Sequence, residues 1–172
     1  SITADVVLVD DLDSATIDKL GSSIKGKIII TKNKNATLSS AFNAFATRHD
    51  AAKLDTLPDE YMFTKEQLDY YMPYIKKGYN TKVYLTQKGA AGLIDCSGGR
   101  DGTIFVDGTP GYATGYEITL PEMVVAKEDF LKLQRLLEDH QQVQVEMNAQ
   151  NKFYDNDLTG YNAVGEIPGT DP

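Results

Sequence analysis

A loop of small residues carrying one arginine and one aspartate, Ser97-Gly98-Gly99-Arg100-Asp101-Gly102, comes after an apolar run and is the chain's best candidate for contact with a ligand. Open α/β sheets place ligand loops after buried strands. The loop is neither G-x-G-x-x-G nor a Walker sequence, and the residues after it read as a strand, so there is no helix N-terminus to hold a phosphate. Arg100 could instead offer a bidentate fork to a carboxylate or to a peptide backbone across a cleft. The plainer reading is a tight hairpin loop.

A second pattern lies near the C-terminus. Asp155, Asp157, Thr159, Gly160, the carbonyl of Tyr161 and Glu166 fall at positions 1, 3, 5, 6, 7 and 12 of a calcium-loop spacing. Thr159 stands where Asp or Asn is usual, and the flanks read as strands rather than helices, which favours a polar connection between domains. The two histidines, His49 and His140, each sit beside an aspartate but at no zinc-ligand spacing, and an exposed turn histidine explains either. Cys96 is the chain's single cysteine. It excludes an intrachain disulfide and a thiolate-type structural zinc site, and at the end of an apolar strand it reads as a small core residue more readily than as a nucleophile.

At 172 residues the chain is long enough for one domain with a real core, plus an overhang. Its 17 Lys and Arg against 25 Asp and Glu give a net charge of −8 with no basic stripe, which argues against nucleic acid and anionic membrane as partners. No apolar stretch has the length of a membrane span, and the N-terminal SITADVV lacks the regions of a signal peptide.

The elements that would position these residues read as α/β. Ala4 to Val9 is an apolar strand, SATIDKLG a short helix closed by Gly21, and Ile24 to Thr31 a second, β-branched strand. The spacing between the two strands suits a parallel crossover. Leu38, Ala41, Phe42, Phe45 and Ala46 recur at helical spacing inside a polar segment. Thr64 and Gln67 form a capping box, and Leu68, Tyr71, Met72 and Ile75 give the next helix an oily face to about Lys77, with Pro73 expected to bend or shorten it. Asn80 starts a further helix to Lys88, although Val83 and Leu85 would also suit a strand. AAGLIDC is a buried strand, Asp101-Gly102 a turn, TIFVD a short strand and LPEMVVA an extended stretch. Lys127 to Glu138 forms an amphipathic helix, and Val143 to Gln150 alternates as a half-buried strand. Tyr161 to Ile167, closed by Pro168-Gly169, is punctuated like a strand feeding a larger sheet, with nothing after it to pair with. Residues after about Asp157 are therefore expected to be poorly ordered or to pair with another molecule, because an unpaired strand costs backbone hydrogen bonds.

The order of these elements, with KGAAGLIDCSGGRDG and then LPEMVVAKEDFLKLQRLLEDHQQVQVEMNAQNKFYDNDLTGYNAVGEIPGTDP, resembles the protease-associated (PA) domain of secreted co-catalytic-zinc metallopeptidases of the aminopeptidase and glutamate carboxypeptidase kind. The resemblance covers most of Ile24 to Pro172 and is strongest from Leu120 onward. It implies an α/β fold, a PA-like β-sheet or open barrel flanked by helices. It divides the chain into a PA-like domain, 1–155, and residues 156–172 as the connection and first strand of a missing catalytic domain. That domain would hold two zinc ions; the fragment would hold no cofactor and no catalytic residue, since none of the family's metal ligands or its catalytic glutamate has a counterpart here. The implied role is a lid or wall of the active-site cleft governing peptide access, with Gly98, Gly99, Arg100 and Asp101 as its lip. The implied partners are the catalytic domain of the same chain and a peptide substrate, and the implied location is secreted or periplasmic. Two other readings are an independent protein-binding module docking through a sheet edge or through the aromatic-rich Tyr61 to Tyr84 region, and a small hydrolase using Cys96. Residues 32–61 depart from the shorter pattern of the family.

Overall fold

A computed structural model describes residues 1–34, 49–99, 101–106, 111, 115–152, 154 and 156–169, without the side chains of Pro58 and Tyr61. It is a mixed α/β structure in which a curled five-stranded half-barrel sheet is flanked by four helices. In chain order the elements are β1 (Ile2–Val9), α1 (Ser14–Leu20), β2 (Ile28–Thr31), α2 (Ala51–Tyr61), α3 (Lys65–Gln87), β3 (Gly92–Cys96), β4 (Glu122–Val125), α4 (Lys127–Glu138) and β5 (Gln144–Met147). The sheet order is β4-β3-β2-β1-β5. The first four strands are mutually parallel, and β5 runs antiparallel to β1 with Ile2 opposite Met147.

Both faces of the sheet are buried, which parallel strands joined by crossover helices require. Ile28, Ile29 and Ile30 of β2 are wholly buried, and successive residues point to opposite faces. Ile29 joins Val9 and Leu93 against Ile17 of α1 and Leu85 of α3. Ile28 and Ile30 join Val6, Ile94 and Met147 against Phe130 of α4. Local chemistry sets the helix ends. Asp13 caps α1 by accepting from the Thr16 amide at 2.6 Å, and Gly21 closes it at φ 52°. Thr64 and Gln67 make the reciprocal capping box of α3. The last turn of α4 ends in a Schellman pair, with His140 N donating to Leu137 O, Gln141 N to Leu136 O, and His140 at φ 59°.

Several sequence expectations need correction. The helices expected on either side of Gly78 are one continuous helix that runs through Pro73. Pro73 lies in an exposed stretch where the carbonyl it leaves without a donor can be hydrated. The expected core face of Leu68, Tyr71, Met72 and Ile75 is exposed, because residues 64–78 overhang the body and only the C-terminal part of α3 packs on the sheet. Thr103–Val106 form no strand, being tied instead to the loop before them. The second strand begins at Ile28, since Gly21–Ile24 form a 3-10 turn. Tyr161, Val164 and Ile167 are exposed, and no strand forms there among the described residues. The helical spacing from Leu38 to Ala46 lies outside the described residues.

Replacing Phe130 by Ala should cost about 3–5 kcal/mol, as for other fully buried aromatics. Ile75→Ala on the overhang should cost less than about 1 kcal/mol. Urea unfolding of both variants in dilute solution checks the contrast.

Candidate functional site

Because β1 to β4 are parallel, their carboxyl ends share one edge of the sheet, and a cleft of about 1480 Å³ opens there. Asp10 and Asp11 come after β1, Lys32 and Asn33 after β2, and Asp95, Cys96 and Gly98 lie at the end of β3; all line the cleft. Phe105, Val106 and Ile118 supply apolar wall.

Inside this cleft sits a charged trio. Asp95 of β3 and Glu122 of β4 are diagonal neighbours in the parallel register, and Lys82 of α3 reaches Glu122 at 2.5 Å. Lys82 and Glu122 are each about one-fifth exposed, so the pair is poorly screened. Burial, followed by the hydrogen bond to Glu122 and the charge of that neighbour, pushes Asp95 up to about 7. Burial would also raise Glu122, but hydrogen bonds from Asp95 and Lys82 outweigh it and hold Glu122 below the usual carboxylate range. Asp95 therefore carries the shared proton and Glu122 the charge. The trio presents one hydrogen-bond donor group that titrates close to neutrality. The sequence signal for it was no more than an aspartate in an otherwise apolar strand, GLIDC.

The glycine-rich loop is braced from within. Ser97 is 1% exposed; its Oγ accepts from the amides of Gly99 and Phe105 and donates to Thr103 O, all at 3.0 Å. A Cβ on Gly99 would lie 2.1 Å from that carbonyl oxygen, so only glycine fits. Asp101 at φ 55° and Gly102 at φ 73° make the turn their dipeptide foretold, and the Asp101 amide donates to Glu128 Oε1 at the start of α4. Of the lip candidates, Gly98 lines the cleft, Gly99 and Asp101 form the braced turn behind it, and Arg100 lies outside the described residues.

The other candidates separate. Cys96 is a thiol raised further by burial, with its Sγ turned to Ser97 O, which disfavours a thiolate nucleophile. His140 serves as the left-handed cap of α4, and His49 is exposed ahead of α2, whose start is capped by Asp50. Asp157 accepts from the Thr159 amide at 3.0 Å and from Tyr161 OH at 3.4 Å, while Thr159 and Glu166 are exposed and Asp155 lies outside the described residues. Among the described residues no three metal-ligating side chains converge. No helix there is long and apolar enough to cross a membrane.

No family model matches the chain, and no curated protein matches it. A solved structure does: the crystal structure of a Peptidase M28 precursor from Shewanella amazonensis SB2B, at 18% identity and a TM-score of 0.38, over 83% of this chain and 26% of that one. The chain thus spans about a quarter of the length of that protein.

With Asp95 raised above its unfolded value of 3.8, its contribution to stability is full below that pH and is lost as pH rises through about 7. Glu122, held low, acts in the opposite sense, and its contribution is lost only as pH falls below the carboxylate range. Asp95→Asn keeps a donor to Glu122 and removes the rising cost. Its melting temperature relative to wild type should therefore climb by several degrees between pH 5 and pH 8; a difference that stays flat across that range would contradict a proton shared between Asp95 and Glu122.

Proposed function

We propose that this chain is a non-catalytic, protease-associated-type domain of an exported co-catalytic-zinc metallopeptidase, forming a wall of the active-site cleft that governs which peptides enter. The observation that carries the reading is the pairing of a cleft at the carboxyl edge with a loop beside it in which Ser97 is hydrogen-bonded to Gly99, Thr103 and Phe105. A lip that selects peptides needs a fixed backbone, and the Ser97 hydroxyl bridges Gly99 to Thr103 and Phe105. Peptide backbone would meet Gly98, which is exposed at the cleft with open space where a side chain would stand, so another chain could approach closely. Arg100 and Asp101 would add charge selection.

In this reading the chemistry lies elsewhere. Metal-activated water, with a glutamate as general base, would belong to the catalytic domain that residues 156–172 lead into, together with its two zinc ions. The fold is compatible with this division of labour because the tail from 156 to 169 makes no strand with the sheet among the described residues and leaves Tyr161, Val164 and Ile167 exposed. Secretion or a periplasmic location belongs to the same reading.

Isotope-labelled chain titrated with trialanine, and with its N-acetylated and C-amidated forms, should show amide shifts concentrated at Ser97, Gly98, Gly99 and Asp101. Shifts scattered over the surface, or none at millimolar peptide, would remove the lip. After dialysis against trace zinc and calcium, metal analysis should find neither at one per chain. Two zinc ions would move the catalytic centre into this chain, and one calcium would reassign Asp155 to Glu166 as a site.

A further inference from the structure

The stripe Leu68, Met72, Ile75, Tyr79, Lys82 and Thr86 runs the length of α3 at alternating spacings of four and three. Its lower part is partly covered: Tyr79 OH accepts from the Glu117 amide at 2.8 Å, Lys82 pairs with Glu122, and Thr86 Oγ1 accepts from the Leu120 amide at 2.8 Å. Its upper part has no cover among the described residues. Leu68, Tyr71, Met72 and Ile75 are 45–49% exposed, and Phe63, Tyr70 and Tyr74 beside them are more so. The rings form their own cluster, with Tyr70 and Tyr71 at 5.2 Å and Phe63 and Tyr71 at 6.3 Å. Tyr70 and Tyr74 stand on the far side of the helix from the stripe, so the uncovered face on the stripe side, Phe63, Leu68, Tyr71, Met72 and Ile75, amounts to on the order of 500 Å². A contiguous apolar patch of this size on one domain is often functional, and it suits a small, weak interface rather than a standard one.

The spacing 68, 72, 75, 79 is that of a coiled-coil seam, and the residues flanking the seam say what fits it. On one flank stand Asp69 and Lys76, seven residues apart and so at the same heptad position; on the other stand Tyr71 and Gly78. In an antiparallel pair of identical helices, like flanks face each other. Asp69 then meets Lys76 of the second copy, Lys76 meets Asp69, and Tyr71 lies over the side-chain-free Gly78. Met72 packs on Ile75 in two central layers, with Leu68 on Tyr79 at each end. A parallel pair would set the Asp69 and Lys76 flank against Tyr71 and Gly78 and leave both charges unmatched.

We propose that the overhang of α3 is a self-association surface on which a second copy of this chain docks antiparallel, related by a two-fold axis level with Pro73 and Tyr74. The interface is isologous, so each contact occurs twice. It ends at Tyr79 because Glu117 and Tyr116 occupy the stripe from there on, Tyr116 lying edge-on to Tyr79 at 5.0 Å. Asp69 is already drawn to Lys65 at 2.5 Å one turn earlier, which holds its carboxylate on the flank that the partner's Lys76 approaches.

Sedimentation equilibrium of the 172-residue chain from about 1 to 300 µM should show a monomer–dimer equilibrium. Asp69→Lys and Lys76→Asp each place like charges at both ends of the interface and should weaken dimerisation roughly tenfold or more. The double variant should restore it, and an equimolar mixture of the two single variants should form a heterodimer more tightly than either pairs with itself. Helical circular dichroism, unchanged in each, separates lost pairing from lost folding. A chain monomeric throughout the range would overturn the proposal, leaving the patch to another part of a longer protein. Dimers indifferent to the swaps, or a double variant that stays monomeric, would overturn the antiparallel arrangement.

Discussion

Everything in this fold stems from burying β2 on both sides. Ile28, Ile29 and Ile30 admit no water, so the sheet needs a layer on each face, and the chain has to cross the sheet between strands to supply them. The crossovers through α1 and α3 cover one face and leave β1, β2 and β3 parallel, while α4, after the parallel β4, covers the other face and leads into the antiparallel β5. Parallel strands put all their carboxyl ends on one edge, and the loops that leave them gather around one cleft. The position of the cleft is thus a consequence of three isoleucines in the middle of the sheet rather than of anything in the loops themselves.

The polar trio marks the place where that apolar face runs out. Leu93 is buried in the core with Ile29, and two residues further along the same face of β3 comes Asp95. A carboxylate there loses most of its hydration without reaching open solvent, and its neighbour across the strand pair is another carboxylate. One lysine cannot neutralise two buried charges, so the pair keeps a proton. The cleft consequently has a floor whose charge changes near neutral pH while its walls, Phe105, Val106 and Ile118, do not.

Where local chemistry decides structure, the chain could be read directly. The capping box at Thr64, Gly21 after α1, the Asp101-Gly102 turn and the bounds of α4 all depend on residues within a few positions of one another, and all are as their spacing indicated. The candidate site was half legible for the same reason. The glycines announced a tight loop, but what tightens it is the Ser97 hydroxyl bridging to Thr103 and Phe105, and that bridge ties Thr103–Val106 to the loop in place of a strand. Asp95 and Glu122 are 27 residues apart, and only strand register brings them together. No periodicity carries register between strands whose connection is irregular.

The misreading of α3 has a different cause, and it lies in length. At a rise of about 1.5 Å per residue the helix is roughly 34 Å long, whereas a five-residue strand such as β3 spans roughly 17 Å. A helix packed along this sheet can bury only about half of its stripe, however regular the stripe is. Helical spacing identifies a face; it does not say how much protein stands opposite. The excess of apolar positions over available sheet is therefore a signal in its own right: a stripe that continues past the end of the sheet, keeping its spacing and its flanking charges, is patterned for something outside the domain core.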